Sequence, residues 1–137
     1  MANLLNAMGS ALYSTLAAGT ALTTKLGGTA IYETLAPQGT SPPYVVLFMS
    51  AGGDDNDSPR RARSMVYTVK AVSTTGALDA VEIDAEVDTL LHLQTLTITG
   101  WGNYWTARVT DIAYNELAGG VMYYHRGGQY RIRVAAT

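Results

Sequence analysis

The residues whose types and spacing can do chemistry are two histidines, three clustered aspartates, three clustered arginines and one tryptophan-rich segment. His92 and His125 are the only histidines, and cysteine is absent. Without thiols, disulfide scaffolds, cysteine-based zinc centres and thiol catalysis are excluded. A metal site on the two histidines needs carboxylates that their spacing does not supply. A hydrolase would have to combine Asp111, His125 and a serine, and no Gly-x-Ser-x-Gly elbow presents that serine. His92 ends an amphipathic run, where a cation suits the carbonyl end of a helix.

Asp54, Asp55 and Asp57 are spaced faintly like a calcium loop. The glycine and glutamate expected at its sixth and twelfth positions are replaced by Pro59 and Met65, so a solvated loop fits better. Arg60, Arg61 and Arg63 follow within a few residues. With acids so close, pairing inside the chain or with a neighbouring subunit is favoured over DNA binding. Gly100-Trp101-Gly102 lacks the third glycine of a dinucleotide loop and reads as a hairpin turn. Trp101, Tyr104 and Trp105 can stack on bases or sugars, but no basic stripe surrounds them; core or protein contact is the better reading.

The bulk composition agrees with this shortage of chemistry. The 137 residues fit one domain, 1–137, large enough for an unaided core. Charged residues make up 15%, against about a quarter in ordinary soluble proteins, so much neutral surface is left to face other protein. A net charge of −2 gives no footprint for wrapping nucleic acid. No positive charge precedes Lys25 and polar residues interrupt the first apolar run, unlike a signal peptide. No run is long and apolar enough to span a membrane as a helix, so no membrane partner is expected.

The elements that position these residues can be read in order. Residues 3–18 predict a helix with Asn3 as cap, Leu5, Met8, Leu12 and Leu16 as its stripe, and Gly19 as its stop. A short helix capped by Thr20 follows and closes at Gly27-Gly28. Ile31-Tyr32 is extended, and 33–43 is a turn-rich loop. Tyr44 to Met49 are six consecutive apolar residues, a strand buried on both faces. It should form an antiparallel hairpin with 64–72, across a loop tip at 54–59. Residues 79–93 are the clearest helix, with Asp79 and Glu82 as a capping-box start and Ala80, Ile83, Val87, Leu90 and Leu91 as its stripe. Short strand 96–99, a turn at 100–103 and long strand 104–115 follow, with a bulge near Thr110-Asp111. A turn at 116–120 and two strands, 121–125 and 129–135, joined through Arg126-Gly127-Gly128, finish the chain. In the last, Tyr130, Ile132 and Val134 alternate with Arg131 and Arg133, one face buried and one charged. The fold class is α+β: an antiparallel sheet under a helix layer made of the N-terminal helix and one crossing helix.

The order of several short motifs carries a resemblance. Ala11-Leu12-Tyr13 in the first helix leads to Leu22-Thr23 and the Gly27-Gly28 stop. Ile31-Tyr32, then Ala36-Pro37-Gln38-Gly39, then Pro43-Tyr44-Val45-Val46 follow. An arginine-rich entry to the second strand, the crossing helix and a late Tyr-His-Arg…Tyr-Arg-Ile-Arg strand complete the series. Over nearly its whole length the chain resembles the tail terminator (tail completion) family of tailed bacteriophages. The resemblance implies a structural virion protein, assembled in the host bacterial cytoplasm, with no catalysis and no cofactor. It implies a homo-oligomeric ring, usually a hexamer, that caps the tail tube, meets the tail-tube protein and the head-tail connector, and lets double-stranded DNA pass without specific binding. Another head–tail joining protein and a small ligand-binding module are the alternatives. For a ring, two contact regions are expected: the 53–63 loop with Asp54, Asp55, Asp57, Arg60, Arg61 and Arg63, and the Arg131/Arg133 face of the last strand.

Overall fold

A computed structural model describes residues 3–56 and 61–137. Helix α1 spans Leu4–Ala17, and the Asn3 Oδ1 accepts from the Leu5 and Asn6 N–H groups at 3.1 and 3.3 Å, as a capping asparagine should. Its buried stripe runs Leu4, Met8, Leu12 and Leu16, whereas Leu5 is 44% exposed. Steps of four residues also stay on one helix face, so Leu4 takes the core position expected of Leu5. Helix α2 spans Thr20–Leu26 with Gly19, not Thr20, at its N-cap. Gly19 has an ordinary φ of −77° and does not stop α1 by left-handed geometry; a side chain there would collide with Leu90. Gly27, at φ 75°, does close α2, with its N–H directed at the Thr23 and Thr24 carbonyls.

Five strands follow in the spatial order β1-β2-β3-β5-β4: β1 Ile31–Glu33, β2 Tyr44–Asp54, β3 Ala62–Ser73, β4 Trp101–Ala118 and β5 Val121–Ala136. The α+β class is as expected. The sheet is mixed, however, because β1 lies parallel to β2 while every other pairing is antiparallel. Only Val45, Val46 and Leu47 of the apolar run are buried on both faces; Met49 is 42% exposed. Beyond the run β2 continues to Asp54, held by its pairing with β3, so the expected loop begins later than its polarity suggests.

Helix α3 spans Ala77–Leu91, and Ala80, Ile83, Val87 and Leu91 point into the core. The capping box is not formed: Gly76 is the N-cap, and Asp79 accepts instead from the Ser73 hydroxyl at 2.6 Å. The helices cover one face of the sheet, where Val45, Leu47, Met65, Tyr67, Val69, Tyr130, Ile132 and Val134 complete a single core cluster. Burial pushes the Tyr67 hydroxyl up to about 12, with the Glu33 charge adding to it.

The last third departs most from the sequence reading. Residues 96–99 form only an isolated bridge from Ile98 to Trp101. Trp101 sits in the core at 4% exposure rather than on a turn. Strand β4 runs through 116–118, and the turn is two residues, Gly119 and Gly120, at φ 58° and 79°. Two left-handed glycines match the twist of a two-residue hairpin. A phase change does occur, one residue before the expected place, with Val109 as the extra residue between Arg108 and Thr110. The two final strands are one strand. Gly127 and Gly128 are not a turn but a close approach: a Cβ on Gly127 would strike the Val69 carbonyl and would lie 2.5 Å from the Lys70 Cα.

Candidate functional site

Asp54 stands opposite Arg63 in the β2–β3 register, at the open end of that hairpin. Its Oδ1 lies 3.1 Å from Arg61 Nη2 and 3.4 Å from Arg63 Nε. Asp55 reaches across to Arg133 on β5, 2.8 Å from its Nε. The two expected contact regions therefore meet in one cluster of Asp54, Asp55, Arg61, Arg63 and Arg133. Asp57 and Arg60 lie outside the described residues. Arg131 is exposed on the same sheet face as Arg133, opposite Val66 and Ala107. The most exposed of these pairs, Arg61 with Asp54, contributes about 0–1 kcal/mol to stability, whereas Arg63 and Arg133 are only partly exposed.

A second arginine centre lies inside the molecule. Arg108, in the middle of β4, points to the helix side of the sheet and meets Asp84 on α3 through two bonds of 2.9 Å. It also donates to Asp111 at 2.7 Å, to the Gly127 carbonyl at 2.7 Å and to the Tyr130 hydroxyl at 3.2 Å. Tyr130 in turn donates to Asp88 at 3.0 Å. Burial alone would favour the neutral guanidinium; the bonds to Asp84, Asp111 and Tyr130 more than reverse this and hold Arg108 firmly charged. The cluster bolts α3 to the two strands that carry most of the sheet. Its sequence signal is Asp84 and Asp88, four residues apart on one helix face, together with one arginine inside an apolar strand.

On the sheet face away from the helices lies a cleft of about 440 Å³. Loop residues 34–40 rim it, and Tyr44, Lys70, Tyr114, Glu116 and His125 line it. The His125 ring stacks on Tyr114 at 4.3 Å, and its Nε2 lies 3.1 Å from Glu116. Lys70 reaches the Tyr114 hydroxyl at 2.5 Å. Burial, then the Lys70 charge, lower the His125 pKa despite Glu116. The neighbouring Tyr44 hydroxyl is raised by burial first, then by Tyr123, Glu116 and Tyr114.

This arrangement does not assemble the chemistry the sequence offered as alternatives. Asp111 faces the helices and binds Arg108, while His125 faces the opposite side, so no triad forms from them. His92 does end α3, and its Nδ1 accepts from the Arg108 backbone N–H at 3.1 Å, which ties that helix end to β4. Trp101 is in the core and separated from exposed Tyr104 and Trp105, so the three form no stacking platform. Among the described residues no group of acids and histidines can hold a metal ion, and no helix is long and apolar enough to cross a membrane.

The model of the family described as tail completion protein gp17 matches residues 10–134. The chain belongs to that family. As a tail completion protein it is a structural component of a phage-type virion and not an enzyme. A solved chain from the virion of a native gene transfer agent particle has the same fold, with a TM-score of 0.82 and 20% identity. That match covers 99% of this tail completion protein and 100% of the other chain. A second solved chain matches at TM-score 0.59 and 11% identity over 94% of each chain. No curated protein sequence matches.

Proposed function

We propose that this tail completion protein is a tail terminator: a homo-oligomeric ring, hexameric in the form the family resemblance implies, that closes the head-proximal end of the tail tube. One face meets the last ring of tail-tube protein and the other meets the head–tail connector, with double-stranded DNA passing through the lumen unbound. The observation that carries this reading is the family match across residues 10–134. Its physical support is the cluster of Asp54, Asp55, Arg61, Arg63 and Arg133, which gathers partly to fully exposed charge at one end of the sheet. Such a surface can exchange internal pairs for pairs with a tube subunit at little cost. A low charge density also suits a conduit through which DNA must slide.

Adding the purified protein to tail-tube subunits during their polymerisation tests this. Short tubes bearing a ring at one end are the expected product. Unchanged tube growth with no ring at either end contradicts the reading. A protein that binds only the connector, leaving tubes unaffected, would identify another head–tail joining protein instead.

A further inference from the structure

The near-zero net charge of this chain hides a segregation between its two layers. Helix α3 carries Asp79, Glu82, Asp84, Glu86 and Asp88 and no base. Strand β5 carries Arg126, Arg131 and Arg133 and no acid. Asp84 and Asp88 are used internally by Arg108 and Tyr130, and Asp79 by Ser73. Glu82 is exposed on the outer side of α3 and only loosely met by Lys25 at 3.6 Å, and Glu86 is half-buried one turn further along its flank. Beside them Leu78 is 71% exposed and Val81 45%, an apolar stripe directed away from the core. Across the sheet, Arg131 lies exposed between Val66 and Ala107, with Trp105, 43% exposed, two residues along β4 on the same face. One face thus presents carboxylates beside aliphatic side chains, and the other a guanidinium beside aliphatic and aromatic ones.

We infer that the outer face of α3 in one copy docks on the open sheet face around Arg131 in the next, with Glu82 and Glu86 meeting Arg131 and Leu78 and Val81 covering Val66 and Trp105. This rests on the ring reading above and names the surfaces that would build it. The occupant is a second copy of this chain because the two patches are complementary in sign and both offer apolar area. Each patch repels its own kind, so a two-fold dimer through either is disfavoured. Because the patches lie on opposite layers, the contact is head-to-tail, the type that closes into rings.

Charge reversal in a cycle tests this, read as the protein concentration at half-assembly by native mass spectrometry. Glu86→Lys alone and Arg131→Glu alone should each raise that concentration by about tenfold or more. The two together should return it to within about threefold of the wild type. Unchanged thermal melts would confirm that each variant is folded. The absence of native cysteine allows a second reading: a chain carrying both Glu86→Cys and Arg131→Cys should give a multimer ladder with a short thiol cross-linker. Each single cysteine variant should stay monomeric on the same gel. Wild-type rings with no effect of reversal and no ladder would overturn this interface and leave the ring reading standing. A wild type that stays monomeric at every concentration and on tail tubes would overturn both.

Discussion

Among the described residues arginine and carboxylate meet at two places, and the two differ in burial. The Arg108 side chain is 17% exposed and Asp84 15%, with a two-bond contact across layers. Arg61 is 43% exposed and Asp54 52%, at the sheet's end. The first pair cannot let go: separating it strands a charge in a poorly solvated place. The second can part and be rehydrated at almost no cost. The same chemistry is therefore architecture in one region and an exchangeable surface in the other.

The largest expected effect breaks the buried side of this comparison. Arg108→Ala leaves Asp84 without its partner and should lower stability by about 3–5 kcal/mol, measured by urea denaturation. A loss below about 1 kcal/mol would mean that solvent reaches the site and that the contrast drawn here fails. Gly128→Ala acts on the same cluster from the neighbouring strand. The added methyl would lie 2.6 Å from the Arg108 Nε, so the guanidinium must shift. A loss of about 1–3 kcal/mol is expected, and combination with Arg108→Ala should be less than additive.

His125 stands between the two extremes: it is buried, but against the cleft, with Tyr114 stacked on it and Lys70, Glu116 and Arg126 as its charged neighbours. Its folded pKa is lowered, so below the ordinary histidine value of about 6.5 the unfolded chain binds more protons than the folded one. Its share of stability is therefore present above that pH and is lost as pH falls through the folded value. His125→Gln should flatten the pH dependence of the melting temperature in that window, and an unchanged slope would assign the dependence elsewhere. The smallest stability effect belongs to the exposed pairs. Arg61→Ala should change stability by at most about 1 kcal/mol while weakening attachment to tail tubes. Full tube binding in that variant would remove this cluster from the proposed contact surface.

How legible each region was in the sequence follows the same division. Asp54, Asp55, Arg61 and Arg63 are close in sequence and visibly charged, so their pairing could be foreseen. Arg133 joined them only through sheet register, where β5 lies beside β3. The Arg108 centre draws on 84, 88, 108, 111, 127 and 130; the sequence marks Asp84 and Asp88 on one helix face and the lone strand arginine, but not that they meet. The helices were legible because their stripes repeat at a fixed period. The β4–β5 hairpin is hidden in the sequence because Gly127 and Gly128 serve close packing between strands, whereas glycine pairs more often mark turns. Glu116 to Ala118 look like part of a turn in the sequence because they adjoin Gly119-Gly120, which alone make it.

The central claim is that this chain forms the ring at the head-proximal end of the tail tube. Electron cryomicroscopy of assembled particles, with the chain located in the density, tests it most directly. A closed ring of this fold between the connector and the last tube ring is expected, with the Asp54–Arg61 end directed at a neighbour. Finding the chain as a monomer, at the distal tail tip, or absent from the neck would contradict it.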